Sequence, residues 1–261
     1  RNTAPAIVSA ALKGTENGED PILLILSADH KIEDLKQFLY VIKRAKKYCK
    51  EDKIVTFGVV PTSPETGYGY IKSSLPIESE LRAYPIREFI EKPNIELAEK
   101  LLEDNKIFWN SGIFMAKSST LIKEADKFCK GLTSLCREAL EANLLDLDFQ
   151  RIKKEPFKNC PNISIDKAIM EKTSRGVVFP LQIKWSDIGS WKSFWENSSK
   201  DIMGNVLIGD SLEINSKNCL INSNSRLTVG LNVEDLVIVE TNDSVLVTKK
   251  SESENVKELV N

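Results

Sequence analysis

Pro21-Ile22-Leu23-Leu24-Ile25-Leu26-Ser27-Ala28-Asp29-His30 decides how this chain reads. Five consecutive aliphatic residues predict a strand buried on both faces, the pattern of a parallel sheet covered by helices. The next segment, about Glu33–Lys50, carries Leu35, Phe38, Leu39, Ile42 and Ala45 at helical spacing, with Lys and Arg opposite. Lys53–Val60 reads as a second buried strand. Strand, helix, strand in succession predicts a parallel unit of an α/β sheet.

Ligands of open α/β sheets bind outside the carboxyl ends of the strands, and Asp29 lies at such an end. It reads either as a cap for the following helix or as a holder of a divalent cation. Asp187, after another predicted strand (Gly176–Trp185), is a second carboxylate beside glycine and serine. Two carboxylates plus substrate oxygens suit Mg²⁺, which keeps several of its waters. His30 reads as a neighbour that orients the Asp29 loop.

Three further stretches can carry chemistry. Gly67-Tyr68-Gly69-Tyr70 is a turn whose backbone can approach a ligand closely. Glu91-Lys92-Pro93 puts an acid and a base at the end of a strand predicted at Tyr84–Glu91, either as a surface ion pair or with Lys92 as a phosphate ligand. Trp109-Asn110-Ser111-Gly112 reads as a turn entering a strand, where Asn110 can donate to and accept from sugar hydroxyls.

The rest of the catalytic-sized region alternates helices (Asn2–Leu12, Ile95–Glu103, Ser118–Phe128, Leu132–Ala142, Ile165–Lys172) with strands. After about Ser199 the texture changes to short β-rich stretches separated by Asn, Asp, Ser and Gly, which predicts a small coiled β-solenoid. The expected domains are therefore 1–199 and 200–261.

Composition narrows the function. The 261 residues carry 36 Lys+Arg against 38 Asp+Glu, a net charge of −2, so no global attraction to nucleic acid or anionic membrane is expected. A single histidine leaves little for a His-based triad or multi-histidine metal site. Five cysteines without a C-x-x-C pair fit free thiols in a reducing cytoplasm.

Separately these signals are weak, but their order is not. Arg1-Asn2-Thr3-Ala4-Pro5-Ala6-Ile7, Ser27-Ala28-Asp29-His30, Pro64-Glu65-Thr66-Gly67-Tyr68-Gly69-Tyr70, Phe89-Ile90-Glu91-Lys92-Pro93, Trp109-Asn110-Ser111-Gly112-Ile113-Phe114, Ser164-Ile165-Asp166 with Met170-Glu171-Lys172, and Trp185–Trp191 together resemble bacterial mannose-1-phosphate guanylyltransferases over nearly the whole chain. The resemblance implies a nucleotide-diphospho-sugar transferase fold, a Rossmann-like mixed α/β sheet followed by a small β-helix-like domain. It implies GTP and mannose 1-phosphate as substrates, and a homodimer as the family-like assembly. Asp29 and Asp187 would hold Mg²⁺, with Asp29 also on the nucleotide. Gly67, Tyr68, Gly69, Glu91 and Asn110 would contact mannose, Lys92 the sugar phosphate, and Asn2, Thr3 and Pro5 the guanine. Asp166, Glu171 and Lys172 would have a supporting role near the sugar.

The family's Gly-x-Gly-x-Arg-Leu-Trp-Pro signature precedes the segment matched by Arg1. On that reading residues 1–261 are N-terminally truncated, without the first strand and phosphate loop, and alone make little GDP-mannose. The competing expectations are a nucleotidyltransferase for another sugar 1-phosphate and a non-catalytic sugar-nucleotide-binding subunit.

Overall fold

The computed structural model describes residues 1–75, 82–141, 144–146, 149–181 and 183–259. Two compact units emerge, Arg1–Ala28 with Ile32–Lys184, and Asp29–Lys31 with Trp185–Asn261. The packing division thus falls at 184/185, and a three-residue piece around His30 goes with the later segment.

In chain order, the larger unit contains α1 (Thr3–Gly14), β1 (Ile22–Ile25), α2 (Leu35–Lys50), β3 (Ile54–Val59), β4 (Tyr70–Ser73), β5 (Tyr84–Ile90), α3 (Ile95–Leu102), β6 (Ile107–Lys117), α4 (Ser118–Phe128), α5 (Leu132–Leu140), β7 (Leu144–Asp146), β8 (Phe149–Arg151), α6 (Lys154–Asn159) and β9 (Gly176–Pro180). The two-residue strand β2 (Lys31–Ile32) begins in the smaller unit. The helix expected over Leu132–Ala142 ends at Leu140, and Ala142 lies outside the described residues.

Helix starts follow local chemistry. Asn2 caps α1 by accepting from Thr3 N, Asp34 caps α2 by accepting from Gln37 N, and Asn94 caps α3 by accepting from Leu97 N. Each satisfies an N–H that the helix cannot pair internally.

The main sheet runs β1-β6-β3-β9-β5-β4, with β4 also paired to β6. Strands β6, β3, β9, β5 and β4 therefore link in a closed circuit around buried Ile71, Tyr84, Phe108 and Val178. Strand β3 matches its apolar sequence: five of its six residues are buried, and it pairs parallel to β9. A second cluster packs Ala4, Ile7, Val8, Ala11 and Leu12 of α1 on Phe114, Leu121, Leu132, Ile165 and Ile169.

Two expectations need correction. Strand β1 is not buried on both faces and does not adjoin β3. Among the described residues it pairs antiparallel with β6 and stands at the end of the strand order, with Leu24 37% exposed. Since β6 runs antiparallel to both, β1 and β3 still point the same way, with β6 inserted between them. The second correction concerns Trp109–Ser111, which lies inside the eleven-residue strand β6 rather than in a turn. The turn residues instead mark an irregularity. The β3–β6 register shifts between Thr56 and Gly58, and Gly112 has φ of 68°. Such bulges re-aim a side chain within an otherwise regular ladder. The segment expected as a helix over Ile165–Lys172 forms one turn of π-helix, Asp166–Met170.

The smaller unit contains β10 (Trp185–Ser186), which pairs with β2, then α7 (Trp191–Glu196), β11 (Val206–Ile214), β12 (Leu220–Leu231), β13 (Leu236–Glu240), β14 (Val245–Lys249) and a 3₁₀ segment, Lys250–Leu259. Strands β11, β12 and β13 pair in parallel, as in a solenoid, and β14 returns antiparallel on β13. Trp191, Phe194 and Trp195 pack on the coil interior of Val206, Leu220, Val237 and Val239. The interior carboxylate of Glu240 accepts from Ser223 Oγ and from the backbone N–H groups of Asn224, Ser225 and Arg226. These donors, led by the Ser225 hydroxyl and N–H, hold its pKa down at about 2. Residues 260–261, expected as part of a frayed or helical end, lie outside the described residues.

Candidate active site

Within the larger unit, three of the sequence candidates come together around Asn110. Strand β6 carries Asn110 at the bulge, and its N–H donates to Gly69 O at 2.7 Å. A Cβ on Gly69 would stand 3.2 Å from Glu91 Oε2 and 3.6 Å from Asn110 Cβ. Gly69 thus lies in a space flanked by a carboxylate and an amide, where a bare backbone leaves room. Tyr68 stacks edge-on against Trp109, with ring centroids 5.2 Å apart, and the Tyr70 hydroxyl donates to Glu65 O at 2.9 Å. These contacts fix both ends of the turn. Gly67 is open, with nothing within 4 Å of a Cβ there.

The Asn110 amide is itself oriented. Gly112 N donates to Asn110 Oδ1 at 3.2 Å, and the Thr56 hydroxyl lies 3.2 Å from the same oxygen and from Ile113 O, sharing one proton between them. On its other side Asn110 Nδ2 donates to Asp166 Oδ1 at 2.8 Å. Burial pushes the Asp166 carboxyl up from its ordinary pKa, against the pull of the Asn110 amide, and Glu91 and Glu171 add to the rise as like charges. Thr56 was not singled out by sequence, and Gly112 only as part of a turn motif; the bulge that brings both to Asn110 depends on strand pairing.

Lys92 is exposed and holds φ of 43°, left-handed backbone that a side chain rarely adopts, just before buried Pro93. Strain of this kind costs about 1–3 kcal/mol and collects at functional loops. Asn2 and Thr3 are exposed while Pro5 is buried, and Thr3 Oγ1 accepts from Ile165 N at 2.9 Å. Glu171 and Lys172 are exposed just beyond the π-turn.

Asp29 and Asp187 both belong to the smaller unit. His30 between them accepts from Trp185 Nε1 at 3.3 Å, its ring edge-on to the indole. Burial lowers the His30 pKa, and the charges of Asp29 and Asp187 oppose that shift. The histidine therefore stays a neutral acceptor near neutral pH. Gly189 N donates to Asp187 Oδ1 at 3.0 Å, orienting the carboxylate, and Ile188 between them holds φ of 43°. For a β-branched residue this is a true outlier. Among the described residues no group of three or more His, Cys, Asp or Glu is arranged to hold an ion alone. Two hard oxygen donors fit a divalent cation that takes its remaining ligands from water and phosphate.

Residues 1–203 match the family described as Nucleotidyl transferase. The chain belongs to that family. Residues 209–261 match the MannoseP isomerase/GMP-like beta-helix domain. Among curated relatives, the mannose-1-phosphate guanylyltransferase of Klebsiella pneumoniae is 45% identical over 261 residues, all of this chain and 55% of that protein. The xanthan biosynthesis protein XanB of Xanthomonas campestris pv. campestris is 42% identical over 260 residues, again 55% of its length. The chain thus spans about half the length of these relatives. A crystal structure described as mannose-1-phosphate geranyltransferase from Thermus thermophilus superposes with TM-score 0.85 at 27% identity, covering 100% of this chain and 74% of that one. The mannose-6-phosphate isomerase structure from Helicobacter pylori gives 0.61 at 28% identity, over 71% and 70%. The fold of this nucleotidyl transferase is therefore the expected mixed α/β domain, followed along the chain by a β-helix-like domain. Among the described residues, no helix is long and apolar enough to cross a membrane.

Proposed function

We propose that the protein is a mannose-1-phosphate guanylyltransferase, joining GTP and α-D-mannose 1-phosphate to give GDP-mannose and pyrophosphate. The observation that carries this reading is the grouping of Gly69, Glu91 and Asn110, a donor and an acceptor around open backbone, in a chain 45% identical to a protein of that name. Asn110 donates to a sugar hydroxyl and Glu91 accepts from one. Lys92 pairs with the sugar phosphate. Asn2, Thr3 and Pro5 border the guanine.

A phosphate oxygen of mannose 1-phosphate attacks the α-phosphorus of GTP in line. The new P–O bond forms as the bond to the bridging oxygen breaks, and pyrophosphate leaves with that electron pair. The nucleophile is already an anion, so positioning and charge compensation supply the catalysis rather than a general base. This suits a chain whose one histidine is half-buried and held by Trp185. Asp29 and Asp187 would hold Mg²⁺, which when bound neutralises charge on the phosphates.

A cytoplasmic setting belongs to the same reading and is supported by five cysteines, an odd number with no C-x-x-C pair. So does a homodimer. Its support is the outer face of the solenoid, where Leu212, Ile214, Val229 and Leu231 are all exposed. The deciding experiment is pyrophosphate release by the intact protein across a panel of nucleotides and sugar 1-phosphates. The reading requires GTP with mannose 1-phosphate to be the best pair, and preference for any other pair overturns it.

A further inference from the structure

The Asn110 amide can be read atom by atom. A backbone N–H only donates, so the atom that Gly112 N meets must be Oδ1, and the amide cannot be flipped. Oδ1 also lies within reach of the Thr56 hydroxyl, and Nδ2 gives one hydrogen to Asp166. What remains is a single N–H. With Gly112 N and the shared Thr56 proton on Oδ1, the group Asn110 leaves wholly unused is one N–H donor.

Asp166 is placed firmly enough to impose this. The chain before it is tied to the start of α1 twice, by Ala4 N donating to Ile163 O at 3.2 Å and by Ile165 N donating to Thr3 Oγ1 at 2.9 Å. Behind it the π-turn closes with Glu171 N donating to Asp166 O at 2.9 Å. π-turns recur at functional sites because they redirect one side chain.

We propose that Asp166 is a positioning and specificity-determining residue that takes one Nδ2 hydrogen and holds the Asn110 amide so that its one remaining N–H faces the ligand, and the site then demands an oxygen acceptor at one hydroxyl position of the hexose. This rests on the sugar 1-phosphate reading above. The hydroxyl accepts from Asn110 and gives its own proton to a carboxylate, for which Glu91 beside Gly69 is a candidate. A site so matched rejects a substrate lacking the hydroxyl far more strongly than an apolar site could, because the polar groups are left unpaired.

The test uses the intact protein with mannose 1-phosphate and its 2-, 3- and 4-deoxy derivatives. In the wild type one deoxy derivative should be disfavoured well beyond the other two. In Asp166→Ala the KM for mannose 1-phosphate should rise about tenfold or more and that one penalty should shrink, with the KM for GTP within about twofold of wild type. Asp166→Asn keeps an acceptor oxygen of about half the strength, so it should restore most of the loss. Should Asp166→Ala not fold, the near-isosteric Asp166→Asn carries the test, with a rise of about threefold confined to the same hydroxyl position. An unchanged deoxy pattern in a folded variant, or an equal loss toward GTP and sugar, overturns the proposal while leaving the guanylyltransferase reading in place. A wild type that does not use mannose 1-phosphate overturns both.

Discussion

Gly58→Ala measures how tightly the sheet is built where it carries Asn110. Gly58 sits in β3, paired across the bulge with Asn110 on one side and with Pro180 of β9 on the other. A Cβ there would stand 2.6 Å from Val178 Cγ2, 2.7 Å from Phe108 Cβ and 2.8 Å from Phe108 Cγ. Carbon atoms prefer about 3.5–4.0 Å, so roughly 1 Å of clearance is missing on two sides. Phe108 and Val178 are both 0% exposed, and Phe108 Cβ is the root of its side chain, which moves only with the backbone of β6. The cost should lie near the upper end of overpacking, about 3 kcal/mol. Stiffening the unfolded chain returns about 0.4–1 kcal/mol, leaving about 2 kcal/mol net. In a domain of this size that lowers the melting temperature by about 4–8 °C. Differential scanning calorimetry reads it directly, with Gly67→Ala, which meets nothing within 4 Å, as a control that should melt no lower than wild type and up to about 4 °C higher. A Gly58→Ala protein melting within about 2 °C of wild type would falsify the packing argument.

Other consequences are testable in parallel. Asp187→Asn should keep the fold and lose Mg²⁺-dependent turnover by at least about tenfold, since even groups that only support a metal ligand commonly matter that much; near-normal rates at saturating Mg²⁺ would remove Asp187 from the metal site. Glu240, held near pKa 2 against an ordinary 4.5, stabilises the solenoid fully above about pH 4.5, and that contribution is lost as pH falls toward 2. Glu240→Gln should therefore flatten the acid limb of the unfolding curve, and an unchanged acid limb would assign the pH dependence elsewhere. Burial pushes the Cys49 and Cys136 thiols up to about 12, so an alkylating reagent at pH 8 should modify half-buried Cys129 first and reach the other two only on unfolding. Early labelling of Cys136, read by peptide mass, would contradict that burial.

Elements whose signal is local could be read from the chain before any coordinates. The amphipathic period of α2 and the mostly apolar composition of β3 each depend on residues within one or two turns, whereas the cap of α2 is Asp34 and not the Asp29 that the sequence offered. Elements defined by partners could not. Ile22–Ile25 is wholly aliphatic, yet it does not adjoin β3, because β6, some ninety residues on, lies between them. Strands β2, β7 and β8 are two or three residues long and exist only through pairing. The site divides in the same way. Gly69, Glu91 and Asn110 were visible as residue types at strand ends. The lock on Asn110 was not, because Thr56, Gly112 and Asp166 reach it through a register shift and a π-turn. Asp166 stood out only as part of a motif, with no more than a supporting role near the sugar.

The parallel ladder of β11, β12 and β13 has one more consequence. Stacked parallel coils expose at each end a row of unpaired backbone groups of the kind on which another coil can be laid, so such a ladder has no intrinsic length. Strand β14 interrupts this growth by reversing direction on β13, from Leu236 opposite Lys249 to Glu240 opposite Val245. Among the described residues the reversal closes the run of parallel coils, and coils inserted ahead of it would lengthen the solenoid as a ruler is lengthened, in fixed increments.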